Sequence, residues 1–232
     1  MNFLFVDNRI NNIELDNLKN LKKKIFKVPS CESLYTAISA HPDILMNIID
    51  YKNILVHKDM NYDFLCRIKE NGFNVIYSNN SLCSSYPEDI ILNALTLDNI
   101  FVHNLNFTDK MLLDLNRHKK LIHVKQGYTK CSIAVVDSRS IITSDTSIAK
   151  ILSKENFNVL LLPPGDIILE GLNYGFIGGT CGLVEDKVLA FYGSLEHYVY
   201  GKEVLNFLKE HKVEPLFLRD GKLVDRGSIL SI

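Results

Sequence analysis

The sequence predicts one α/β domain spanning residues 1–232, a closed ring of five ββαβ-type repeats with pseudo-five-fold symmetry. Three observations carry this reading. A short polar motif recurs as His41-Pro42-Asp43-Ile44, Pro87-Glu88-Asp89-Ile90, Thr129-Lys130-Cys131-Ser132, Gly179-Thr180-Cys181-Gly182 and Arg226-Gly227-Ser228-Ile229. Its central members Asp43, Asp89, Cys131, Cys181 and Ser228 stand 46, 42, 50 and 47 residues apart, a period that marks stacked or circularly arranged units. A strand–helix–strand pattern follows each motif. Finally, the chain opens on a second strand with no motif strand before it, and closes on a motif strand with nothing after it. Joining the two completes a fifth unit, seals the exposed sheet edge and buries both chain ends.

The elements follow in order. Second strands are read at Asn2–Asp7, Asn53–His57, Asn99–His103, Ser140–Thr143 and Lys187–Phe191, short β-branched and aromatic runs bounded by polar residues. Helical spacing comes next: Leu15/Leu18/Leu21, Phe64/Leu65/Ile68, Met111/Leu112/Leu115, Ile148/Ile151/Leu152 and Val204/Leu205/Leu208 each keep one apolar face. Thr108-Asp109 and Ser144-Asp145 are placed to cap their helices. Third strands are read at Ile25–Val28, Gly72–Tyr77, Leu121–Val124, Asn156–Leu161 and Pro215–Leu218, and a last motif strand at Arg226–Ile232. Leu162-Pro163-Pro164-Gly165 is a turn.

Composition narrows the function classes. A net charge of −1, with no basic run longer than Lys22-Lys23-Lys24, gives no strong nucleic-acid signal. No stretch approaches the ~18 apolar residues of a membrane span, and Met1–Asp7 reads as a strand rather than a secretory leader. Five cysteines, an odd number, point to free thiols in a reducing cytoplasm. Their spacing contains no CxxC pair, so no metal centre and no cofactor are expected. The oligomeric state is not legible.

Five ββαβ-type units sealed by the C-terminal strand resemble the pentein, or α/β-propeller, fold of the guanidine-group-modifying enzymes. That group includes arginine and agmatine deiminases, dimethylarginine hydrolases and amidinotransferases, with a non-catalytic branch of ribosome anti-association factors. Gly127-Tyr128-Thr129-Lys130-Cys131-Ser132, with Tyr174-Gly175-Phe176-Ile177-Gly178-Gly179, resembles an uncharacterised bacterial branch of the fold. The resemblance implies that Asp43, with Glu88 or Asp89, holds a guanidinium, whose planar fork pairs bidentately with carboxylates. It also implies a histidine in the middle unit and a nucleophilic cysteine at the end. This chain carries Tyr128-Thr129-Lys130-Cys131 and Ser228 there instead.

Two readings of function follow. In the enzymatic one, a small guanidino or amidino compound is bound by Asp43, Glu88, Asp89, Lys130, Arg226 and Ser228. Cys131 or Cys181 then serves as a relocated nucleophile, with His41 as its base. In the other, the ring persists as a binding or scaffold protein without the chemistry. Each residue also has a plainer role. Carboxylates cap turns, a buried cysteine acts as a small hydrophobe, and the glycines around Cys181 suit a tight turn. His41, His57 and His103 serve as hydrogen-bonded structural residues. Lys130 would lower the thiol pKa of Cys131 only if the two met in space, yet strand neighbours point to opposite faces. Arg226, paired with Asp43 or Glu88, would neutralise the acidic pocket.

Overall fold

A computed structural model describes residues 1–232. Its strands are β1 (Phe3–Asp7), β2 (Lys24–Val28), β3 (Met46–Ile48), β4 (Asn53–Val56), β5 (Asn74–Tyr77), β6 (Leu95–Thr96), β7 (Ile100–His103), β8 (Lys120–His123), β9 (Ile133–Asp137), β10 (Ser140–Thr143), β11 (Asn158–Leu161), β12 (Cys181–Glu185), β13 (Val188–Phe191), β14 (Glu214–Phe217) and β15 (Leu230–Ser231). The helices are α1 (Asn12–Lys19), α2 (Pro42–Leu45), α3 (Tyr62–Glu70), α4 (Lys110–Leu115), α5 (Thr146–Lys154) and α6 (Gly201–Glu210). The strands form five three-stranded sheets: β3-β4-β5, β6-β7-β8, β9-β10-β11, β12-β13-β14 and β15-β1-β2. In every sheet the middle strand runs antiparallel to the motif strand and parallel to the third strand. The parallel step needs a crossover, and a helix supplies it each time.

The middle strands read as continuous apolar runs because both of their faces are covered. Along β1, Leu4 and Val6 enter one buried cluster with Ala190 of β13 and Tyr192 just after it. Phe5 enters another with Phe26, Leu55 and Phe64. On β10, Ile141 packs with Val102 and Ile122, whereas Ile142 packs with Leu189 and Phe191. Alternate side chains thus fill the wedges on either side of each sheet, and each fully buried Leu, Ile or Phe contributes about 1.5–3 kcal/mol. The third strands are half-exposed, and Pro215, which cannot donate to a ladder, lies on one of them. No helix is long and apolar enough to cross a membrane, and all five cysteines are free.

The ring closes where the termini meet. β15 pairs antiparallel with β1, Leu4 opposite Ser231 and Phe5 opposite Leu230, and Asn2 N donates to Ile232 O at 2.7 Å. The expectation of buried chain ends needs correction: Met1 and Asn2 are exposed and Ser231 and Ile232 half-exposed, since β15 spans two residues rather than all of Arg226–Ile232. A buried ion cluster reinforces the seam. Glu14, on α1 and fully buried, caps its own helix through Asn11 N at 3.1 Å and lies 3.0 Å from both Arg219 Nε and Arg226 Nε. Arg226 therefore pairs with Glu14, not with Asp43 or Glu88. Asp109 and Asp145 cap α4 and α5 as expected.

Removing one partner of a buried ion cluster leaves uncompensated charge, at a cost of about 3–5 kcal/mol. Glu14→Ala should lower stability by that amount in urea unfolding, while Asp16→Ala, whose partner Lys19 is exposed, should cost under about 1 kcal/mol. His57 and His103, at the ends of β4 and β7, are buried and desolvation lowers each pKa to about 4. The unfolded chain binds their protons from pH 6.5 downward and the folded chain does not. Their contribution to stability should therefore fall between pH 6.5 and 4, by about 3 kcal/mol each. Urea midpoints across that window, flattened in a His57→Gln/His103→Gln chain, would check it.

Candidate axial site

Pro42 starts α2 and sets Asp43 in its first turn, where Asp43 N donates to Gly227 O at 3.2 Å. Gly227 and Ser228 both have φ near +68°. A Cβ on Gly227 would overlap His41, so only glycine fits there. At Ser228 the left-handed backbone costs about 1–3 kcal/mol and its side-chain bonds hold it. Ser228 Oγ lies 2.6 Å from Asp43 Oδ2 and 2.8 Å from Gly178 O, sharing one proton between them, and accepts from Lys130 Nζ at 2.9 Å.

The other oxygen of Asp43 faces Cys131, whose thiol donates to Oδ1 at 3.1 Å. Asn93 organises both residues. Its Nδ2 donates to Asp43 O at 2.9 Å and to Cys131 Sγ at 3.1 Å, and its Oδ1 accepts from Lys130 N at 2.8 Å and Cys131 N at 3.2 Å. Residues 129–132 form a turn rather than a strand. Lys130 and Cys131 thereby approach Asp43 from two sides without the ammonium reaching the thiol. Burial, then the Asp43 and Asp225 carboxylates, push the Cys131 thiol well up, so its resting form is S–H.

Asp225 arrives from the loop before β15. It sits against Gly175 and Gly179, where a Cβ would overlap its carboxylate. Phe176 N donates to it at 2.8 Å and Gly227 N at 3.0 Å. Burial raises its pKa above the usual carboxylate value, although His41 opposes the rise. His41 is 1% exposed, its Nδ1 lies 3.8 Å from Asp225 Oδ1, and neither ring nitrogen has a hydrogen-bond partner. Asp89 is also buried and accepts a hydrogen bond from the Tyr128 hydroxyl, which meets Tyr35 OH at 3.0 Å. Burial raises the Asp89 pKa.

The structure thus brings His41, Asp43, Cys131, Lys130 and Ser228 together. It sets Asp89 against Tyr128, and it leaves Glu88 exposed at the surface beside Ser85. Cys181 is buried with its sulfur 3.5 Å from Ile177 O, and burial pushes its thiol up to about 12. Asn93, Asp225 and Tyr128 complete the site and were not singled out as functional residues in the sequence reading. One signal for Asn93 was present: Asp43-Ile44-Leu45-Met46-Asn47 and Asp89-Ile90-Ile91-Leu92-Asn93 share the pattern D-I-x-x-N. Asp225 lies one residue before the last motif, beyond its read boundary.

Beside Asp43 and Lys130 opens a cavity of about 60 Å³, lined also by Asn47, Thr96, Met46 and Leu230. A protonated, buried thiol is a poor nucleophile. Mass mapping with a thiol reagent on the native chain should label exposed Cys83 first and half-buried Cys66 more slowly. Cys31, Cys131 and Cys181, all buried, should react only after denaturation, and rapid native labelling of Cys131 would refute this account of its environment.

Comparison with known proteins agrees with this architecture. The structure is similar to SxtG, an amidinotransferase from Microseira wollei in the saxitoxin biosynthetic pathway. The TM-score is 0.59 at 9% identity, over 94% of this chain and 88% of that one. It is similar to the inosamine-phosphate amidinotransferase StrB1 of Streptomyces griseus, with a TM-score of 0.57 at 11% identity over 88% and 72% of the two chains. It is also similar to DDAH of Pseudomonas aeruginosa, with a TM-score of 0.53 at 10% identity over 93% and 92%. No curated protein matches the sequence. The model of a family of unknown function, DUF6873, matches residues 5–230. The chain belongs to that family, and its ring of five sheets is the pentein fold of the guanidine-modifying enzymes.

Proposed function

We propose that the axial cavity binds the cationic head of a small guanidino or amidino compound, with Asp43 as its anchor and without thiolate chemistry. The observation that carries this reading is the buried Asp43 carboxylate at the cavity wall, whose side-chain partners are the Ser228 hydroxyl and the Cys131 thiol and which the Lys130 ammonium meets only through Ser228 Oγ. The cavity of about 60 Å³ is roughly four to six times the ~10–15 Å³ that one water requires. That is room for the four heavy atoms of a guanidinium. Solved proteins of this fold include amidinotransferases and an agmatine deiminase, which agrees with the ligand class.

Chemistry through Cys131 requires its thiolate, and burial with two nearby carboxylates opposes ionisation. Ser228 holds the last motif position with its oxygen committed to Asp43, Gly178 and Lys130. Binding is therefore the better-supported role. Lys130 competes for Asp43 through Ser228, so its removal should favour the ligand.

Thermal-shift titrations with guanidinium, agmatine, arginine, methylated arginines and amidines test the reading, since a ligand of the folded state raises its stability. A shift in the wild type should weaken at least tenfold in apparent affinity in Asp43→Asn and strengthen severalfold in Lys130→Met. Absence of any shift, or one indifferent to Asp43→Asn, would overturn it and direct the search to protein partners.

A further inference from the structure

From the cluster of His41, Asp43 and Cys131 we infer a second site, a centre for one thiolate-seeking divalent metal ion of the Zn²⁺ class. The Asp43, Cys131 and His41 donor atoms lie within 4.8 Å of one another and all three residues are buried. Asp225 Oδ1, 3.8 Å from His41 Nδ1, lies outside that three-residue group and stands beside the imidazole as an outer partner, so three protein donors hold the ion and the fourth position is open to solvent. Bonds of ~2.0–2.3 Å in a tetrahedral shell separate donor atoms by roughly 3.3–3.7 Å, so the donors close on an ion by side-chain adjustments of about an ångström.

The independent observation is His41. Its side chain is 1% exposed and both ring nitrogens lack partners, an arrangement that a buried polar group adopts only at a cost unless something else binds it. Gly227 packs against its Cα and Cβ and holds it beside Asp225. The outer contacts that orient metal ligands are already built. Asn93 Nδ2 donates to Cys131 Sγ at 3.1 Å, Ser228 Oγ meets Asp43 Oδ2 at 2.6 Å, and Phe176 N and Gly227 N hold Asp225.

Charge and softness choose the ion. A thiolate, one carboxylate and a neutral imidazole carry −2, which a divalent ion balances. The sulfur and nitrogen donors select Zn²⁺, Co²⁺ or a similar ion over Mg²⁺ or Ca²⁺, which prefer oxygen shells. On binding, the S–H bond of Cys131 breaks, a metal–sulfur bond forms, and the proton leaves to solvent. The site shares Asp43 with the guanidino reading, so the ion and an organic cation would compete for that carboxylate, but it does not rest on that reading because its test reads the metal alone.

The experiment uses the full chain in reduced form. Metal content is measured on protein purified from zinc-supplemented cells, and Co²⁺ is titrated into chelator-treated protein while its absorption and proton release are followed. One metal per chain, a thiolate-to-cobalt charge-transfer band and about one proton released per ion are expected. The band should vanish in Cys131→Ala, and affinity should fall at least tenfold in His41→Gln. A Cys66→Ser/Cys83→Ser chain, which lacks the two more accessible thiols, should bind as the wild type does. Circular dichroism identifies any variant that fails to fold, and for such a variant the wild-type proton count and the Cys66→Ser/Cys83→Ser control decide. Substoichiometric metal in both preparations, a band retained in folded Cys131→Ala, or a band lost with Cys66 and Cys83 would overturn the proposal.

Discussion

Ring closure at the β15–β1 ladder is the constraint on which the rest depends, because the residues at the axis come from units far apart in the chain. Asp43 enters from the unit begun at α2, Asn93 from the next, Lys130 and Cys131 from the third, and Asp225 and Ser228 only with the final segment. The ladder itself has two residue pairs, too few to hold a seam by hydrogen bonding alone. Glu14 with Arg219 and Arg226, and the wedge of Leu4, Val6, Ala190 and Tyr192, supply the rest. Opening the seam would strand a buried carboxylate and leave Asp43 without Ser228, so the site and the fold are stabilised together.

Electrostatics at the axis separates this chain from a thiolate enzyme. A cysteine becomes a nucleophile when a positive neighbour or a helix N-terminus favours its anion. Here the thiol is desolvated and faces two carboxylates, and the nearest ammonium is engaged by Ser228. The same arrangement is suited to cations. Carboxylates crowded into a low-dielectric interior gain most from a positive ligand, whether a planar organic head at the cavity or an ion beside His41.

Tyr128 shows how far a repeat can diverge while its frame persists. It occupies the turn of the third unit, where its hydroxyl satisfies Asp89 and its ring stacks on Phe176 at 6.0 Å. Asp89 is thereby drawn to the aromatic side of the axis instead of joining Asp43. Two aspartates at one repeat position, 46 residues apart, end with different partners because the neighbouring unit contributes a different side chain to each.

What the sequence determined by itself is the repeating frame. Apolar middle strands, the helical faces of α1 and α3–α6, the Asp109 and Asp145 caps and the complementary termini are local patterns, set by periodicities of two and 3.6 residues. Membership of Asp43, Cys131 and Ser228 in one cluster also followed from the repeat, since equivalent motif positions face a common axis. The pairings within that cluster were decided by tertiary structure. Arg226 goes to Glu14, Glu88 faces solvent, Lys130 reaches Ser228, and His41 meets Asp225 across 184 residues of chain. Such choices depend on the approach angles of turns and on the desolvation of individual oxygens and nitrogens. Neither leaves a periodic trace in sequence, and both are settled only when the ring closes.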